Sequence, residues 1–101
     1  MTSTQLSLVV VAGLAGVTYR QADYWCRKGF IVAPSLGSGN HRELSSDEAA
    51  VLHTMARLVA AGLAPDAAAR VARQGDGRGR YELADGVHIT LVPPILKGPS
   101  V

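Results

Sequence analysis

Gly16-Val17-Thr18-Tyr19-Arg20-Gln21-Ala22-Asp23-Tyr24-Trp25-Cys26-Arg27-Lys28-Gly29 is the stretch that decides the fold. Thr18 stands where a helix cap belongs, since its hydroxyl can accept from a first-turn N–H. Gly29 ends the helix, predicted over 19–28. Arg27 and Lys28 lie in its last turn, where the helix dipole favours cations. A period of 3.6 turns Ala22, Trp25, Cys26 and Gly29 inward. It turns Tyr19, Arg20, Gln21, Asp23, Tyr24, Arg27 and Lys28 outward. Upstream, residues 8–15 predict a shorter helix, with Ser7 as its cap and Gly16 as the left-handed residue that stops it. Gly13 and the β-branched Val9, Val10 and Val11 weaken that helix. Two short helices joined by a tight glycine-bearing turn form a helix-turn-helix pattern.

The apolar run 6–17 falls well short of the roughly 20 residues that span a bilayer. It also lacks the basic start of a signal peptide, because the first charged residue is Arg20. It reads as a buried helix, with neither export signal nor anchor, and the expected location is the cytoplasm. Cys26 is the sole cysteine, so no intrachain disulfide forms and a reducing compartment suits the chain.

Downstream, Phe30, Ile31 and Val32 begin an extended segment, and Pro34 keeps Ala33 out of the helical region. Residues 36–40 read as a hairpin tip and 41–44 as its return strand. Ser45 and Glu48 fit a capping box that opens a helix over 46–61. Val51, Leu52, Met55, Leu58 and Val59 give it one apolar stripe. Gly62 stops it, and Pro65 suits the first position of a helix over 65–73. That last helix is rich in alanine and has to pack closely on its neighbour.

Residues 74–79 read as a flexible connector. Beyond it, 80–84 and 87–92 flank Asp85-Gly86. A two-residue loop would split the apolar residues between the two faces of the hairpin. A three-residue loop, Ala84-Asp85-Gly86, pairs Leu83 with Val87 and Tyr81 with Ile89, with Gly86 left-handed and bulged. Tyr81, Leu83, Val87, Ile89 and Leu91 then share one face. A lone hairpin is unstable in water, so this face is expected to dock on the helices or on a second copy. Pro93 and Pro94 end it.

Composition bounds the rest. At 101 residues the chain has room for one small domain with an appendage. Apolar residues make up 48% and aromatics 5%, and fifteen residues are alanine, which suits fine-grained helical packing. The net charge of +2 is uninformative as a total, but its placement is not. In residues 1–42, Arg20, Arg27, Lys28 and Arg42 against Asp23 give +3. In residues 43–72, Arg57 and Arg70 against Glu43, Asp47, Glu48 and Asp66 give −2. Such polarity orients a protein on a polyanion.

The run 16–62 resembles the DNA-binding domain of the MerR-type winged-helix regulators. The matching pieces are Gly16-Val17, Arg20, Tyr24-Trp25, Lys28-Gly29, Pro34, the glycine-rich wing with Arg42, and the capped helix ending in Leu58 to Gly62. The resemblance covers residues 6–73. It implies a mainly α fold with small β, a winged helix-turn-helix over 1–73, to which the residues read above add the connector 74–79, the hairpin 80–92 and a loose tail 93–101. It implies a bacterial or phage DNA-binding protein whose second helix enters the major groove. Arg20 would touch DNA, Tyr24 would meet the backbone, and Arg42 would anchor the wing on phosphates or in the minor groove. Thr18, Tyr19, Gln21, Arg27, Lys28, Asn40 and His41 complete the expected contact set, and nucleoid association would follow.

The sequence also departs from the family. Ala22 replaces a usual leucine, Leu44 a usual wing tyrosine and Asp23 a common basic residue. No stretch matches the long dimerising helix or the effector domain of larger relatives, so the chain is expected to be closer to the short MerR-like regulators and to phage excisionases of similar shape.

The expected partner is therefore double-stranded DNA, bound by a homo-oligomer or by cooperating copies, with no membrane. A second expectation is an architectural, excisionase-like factor. A third is a winged-helix module that contacts RNA polymerase, a sigma factor or an antirepressor. His41, His53 and His88 show no ligand spacing, and no catalytic pairing is visible. Neither an enzyme, a cofactor nor a metal is expected.

Overall fold

The computed structural model describes residues 5–34, 42–74 and 80–91. Their order is β1 (Gln5–Ser7), α1 (Leu8–Ala15), α2 (Tyr19–Arg27), β2 (Glu43–Ser45), α3 (Ser46–Ala60), α4 (Pro65–Gln74), β3 (Arg80–Ala84) and β4 (Val87–Thr90). Among the described residues the fold is mainly α with two small antiparallel strand pairs. The helix bounds agree with the sequence to within a residue, which is the precision of helix ends.

Local chemistry explains those bounds. Thr18 Oγ1 accepts the Gln21 N–H at 3.0 Å and starts α2. Gly16, at φ 82°, closes α1, and the Val17 N–H reaches back to the Ala12 carbonyl at 3.0 Å. Gly29, at φ 83°, does the same for α2, with the Phe30 N–H on the Trp25 carbonyl at 3.0 Å. Ser45 Oγ accepts the Glu48 N–H at 3.2 Å and starts α3. Ser7 is extended and precedes α1, but its side chain makes no capping bond.

α3 is the central support. α1 and α4 pack on it, and α2 packs on α1. Trp25, Leu8, Ile31, Leu44, Leu52, Met55 and Leu58 are almost fully enclosed. On α4, Ala68, Ala69, Val71 and Ala72 are buried, so small side chains let two helices approach closely. On α2, Ala22 and Trp25 face the core as expected and Cys26 is half-buried. Gly29, expected inward, is exposed, because it lies past the helix end where the 3.6 period no longer applies.

Two β features differ from expectation. The return strand does not pair with 30–32. β2 pairs instead with β1, in the register Gln5↔Ser45, Leu6↔Leu44 and Ser7↔Glu43. Residue 6 therefore belongs to a strand, not to the first helix. The backbone of the outgoing arm, residues 30–34, takes side-chain partners instead of a ladder. The Phe30 carbonyl accepts from Arg73, the Val32 N–H donates to Glu48 and the Ala33 carbonyl accepts from Arg42, each at 2.8 Å. The hairpin tip 36–40 lies outside the described residues.

The second difference is in β3–β4. Tyr81 pairs with Ile89 as expected, and Gly86 is left-handed at φ 77°. Ala84, not Leu83, opposes Val87, so the loop is the two-residue Asp85-Gly86. The bulge sits in β3 between Glu82 and Ala84. An extra residue there rescues the apolar pattern just as a longer loop would. Tyr81 and Leu91 enter the helical core, Leu83 and Ile89 pack against it, and Val87 stays exposed. β3 lies against α4, so the hairpin docks within its own chain.

Candidate nucleic-acid interface

α2 separates its residues cleanly. Ala22 is fully buried and Trp25 is 1% exposed. At about 100° per residue, Arg20, Tyr24 and Arg27 cluster on the opposite side and Lys28 flanks them. Arg20, Arg27 and Lys28 are exposed, and Tyr24 is 52% exposed. Lys28 Nζ sits 5.9 Å from the Tyr24 ring centroid, a cation–π distance that holds both toward solvent. Arg20 forms no ion pair with a described residue. Thr18 is exposed beside its capping bond, and Gln21 and Tyr19 are half-buried. Burial, with Asp23 second, pushes the Tyr19 phenol up, so it remains a neutral donor at neutral pH.

Asp23 joins this surface to the incoming arm, the described residue Arg42 that leads into β2. Its Oδ2 holds Arg27 through Nε at 2.9 Å and Nη2 at 2.7 Å. Its Oδ1 holds Arg42 Nε at 2.7 Å. The hydrogen bond from Arg42, followed by that from Arg27, keeps its carboxyl below the ordinary aspartate range. The Arg42 side chain is only 19% exposed, against 67% for Arg27. Two expected contacts, Asn40 and His41, lie outside the described residues.

A groove of about 440 Å³ runs beside this surface, lined by Tyr24, Lys28, Phe30, Pro65 and Asp66. Burial pushes the Cys26 thiol up, so it is held as thiol rather than thiolate. Among the described residues no cluster of three or more His, Cys, Asp or Glu side chains is placed to hold a metal ion. No described helix is long and apolar enough to cross a membrane.

Sequence reading missed two links. Asp23 read only as a departure from a commonly basic position. Glu48 read as a cap partner, yet its carboxylate also holds Arg73 at 2.8 Å on each of two oxygens. Arg73 lies 25 positions away in sequence, beyond the reach of any local spacing rule.

Two packed helices around a glycine turn, with a cationic exposed face on the second, define a helix-turn-helix module. The model of the family described as MerR HTH family regulatory protein matches residues 6–75. The chain belongs to that family. It is also similar to proteins described as uncharacterized HTH-type transcriptional regulators from Mycobacterium bovis and from two strains of Mycobacterium tuberculosis. Each is 43% identical over 54 residues, which is 50% of this chain and 24% of the relative. The chain thus matches about a quarter of the length of those relatives.

Proposed function

We propose that the protein binds double-stranded DNA and regulates transcription, with α2 entering the major groove. The observation that carries this reading is the exposed face of α2. It sets Arg20, Tyr24, Arg27 and Lys28 opposite the buried Ala22 and Trp25. Arg20 and Gln21 are donors of the length that reaches base edges. Tyr24, Arg27 and Lys28, with Thr18 and Tyr19 at the helix start, suit phosphates. Family membership and the names of the mycobacterial relatives support a bacterial regulator.

One module of this size makes few phosphate contacts, so its affinity is modest and strongly salt-dependent. Two or more copies on repeated half-sites supply the rest. Tyr81 and Leu91 are enclosed in their own chain, which leaves Val87 as the exposed member of the hairpin face expected between copies.

The test is a random-oligonucleotide selection followed by fluorescence anisotropy on the recovered duplex. Arg20→Ala is expected to weaken binding by about 10-fold or more, the loss of one base-edge contact. Equal affinity of variant and wild type, or failure of the selection to enrich any sequence, rejects the reading.

A further inference from the structure

We infer that Arg42 and Arg73 are positioning residues, which seat the two chain arms beside α2, and that Arg42 serves recognition through Asp23 rather than by touching a phosphate. The inference rests on the DNA-binding reading of α2 and changes the role expected for Arg42.

The outgoing arm 30–34 has no strand partner among the described residues, yet three of its backbone groups are held by side chains. Arg73 Nη2 donates to the Phe30 carbonyl at 2.8 Å. Glu48 Oε1 accepts the Val32 N–H at 2.8 Å. Arg42 Nη1 donates to the Ala33 carbonyl at 2.8 Å. Glu48 and Arg73 are themselves locked as a fork, Nη1 to Oε2 and Nη2 to Oε1, both at 2.8 Å. The planar guanidinium suits that bidentate geometry. α3 and α4 thus grip the outgoing arm together.

Arg42 belongs to the incoming arm and ties three elements. Its carbonyl accepts the Leu8 N–H at the start of α1, at 3.1 Å. Its Nε meets Asp23 on α2 at 2.7 Å, and its Nη1 meets the outgoing arm. Asp23 has one arginine on each oxygen, but the two differ in access. Arg27 is 67% exposed and reachable by a phosphate while still paired, whereas Arg42 and Asp23 are 19% and 15% exposed. For Arg42 to reach DNA it would have to leave a part-buried carboxylate and release the Ala33 carbonyl. In its seat it fixes the spacing between α2 and the arms.

The two roles predict opposite results. The full chain, Arg42→Gln, Arg27→Ala, and Asp23→Asn made on that Arg27→Ala background are titrated with the selected duplex over a range of KCl. The Arg27→Ala background keeps a freed Arg27 from adding a cation. Thermal melts first establish that each variant is folded. A positioning role weakens binding about 10-fold in Arg42→Gln and leaves the slope of log K against log salt unchanged. A lost phosphate contact would lower that slope by about 0.9. Relative to Arg27→Ala alone, Asp23→Asn is expected to weaken binding as well, and combining it with Arg42→Gln should add little. A flattened slope in Arg42→Gln, or tighter binding in Asp23→Asn, overturns the inference and makes Arg42 a DNA contact.

A DNA-free measurement separates this from failure of the parent reading. Amide exchange at Val32 is expected to quicken at least 10-fold in Glu48→Gln and in Arg73→Lys, with α3 amides unchanged. Unaltered exchange at Val32 in both variants overturns the seating whether or not DNA binds. Loss of DNA binding by the wild type, with Val32 exchange responding as expected, rejects only the DNA reading.

Discussion

Asp23 shows how one side chain changes meaning between sequence and structure. On a helix carrying Arg20, Arg27 and Lys28 it looks like an anion that weakens a polyanion site. In the fold its two oxygens organise Arg27 and Arg42. Its carboxyl is held below its ordinary range, first by the hydrogen bond from Arg42 and then by that from Arg27. A native pKa below the unfolded value of about 3.9 means the unfolded chain binds more protons in that window. The stabilisation is therefore complete above about pH 4 and is lost as pH falls toward the native value. Urea melts at steps between neutral pH and about pH 3 should show wild-type stability falling more steeply on the acid side than that of Asp23→Asn. Parallel curves would show that the pair contributes nothing to folding. Ala22 and Trp25, by contrast, needed no fold to be read, because helical period alone sets which side meets the core.

At the scale of elements, caps and stops were legible because their chemistry lies within four residues. Thr18, Gly16, Gly29, Ser45 and Gly62 all mark the boundaries that the sequence assigns to them. Thr18→Ala removes the bond from the Gln21 N–H and should cost about 1 kcal/mol. For a domain of this size that lowers Tm by about 4–8 °C, and a melt followed by circular dichroism checks it. An unchanged Tm would mean that water or the chain entry caps α2 equally well. The β pieces were less legible. The partners of the outgoing arm lie 9, 16 and 43 positions away, and nothing in residues 30–34 announces that side chains will replace a ladder. In the second hairpin the alternation of Tyr81, Leu83, Ile89 and Leu91 demanded one extra residue. Either the loop or the strand could absorb it, and β3 does so.

For the whole molecule, the hairpin is a buttress rather than an appendage. Tyr81 is 3% exposed and Leu91 6%, and β3 lies on α4, whose alanines present a surface too shallow to bury themselves. Tyr81→Ala should therefore destabilise the domain by about 3 kcal/mol, the scale of a large-to-small core change. Chemical denaturation measures that loss, and sedimentation should show no change in the mass of the native species. A destabilisation under about 1 kcal/mol, or a change of mass with native stability kept, would return the hairpin to a role between copies. Its final placement was not legible, because a face of five apolar residues fits a neighbouring chain as well as its own.

The pairing of Leu6 with Leu44 has a consequence for the order of assembly. α1, α2 and both arms lie inside the loop which that short ladder closes, whereas α3 and α4 are sequence neighbours joined by a tight turn. Closing a loop of this length costs only slightly more free energy than closing a shorter one, but contacts distant in sequence are slow to form. The α3–α4 pair can thus collapse early, while the cationic helix is clasped only when the two leucines meet. A chain caught halfway through folding carries a charge-balanced support, Asp47, Glu48 and Asp66 against Arg57, Arg70 and Arg73, and has yet to assemble the face that attracts a polyanion.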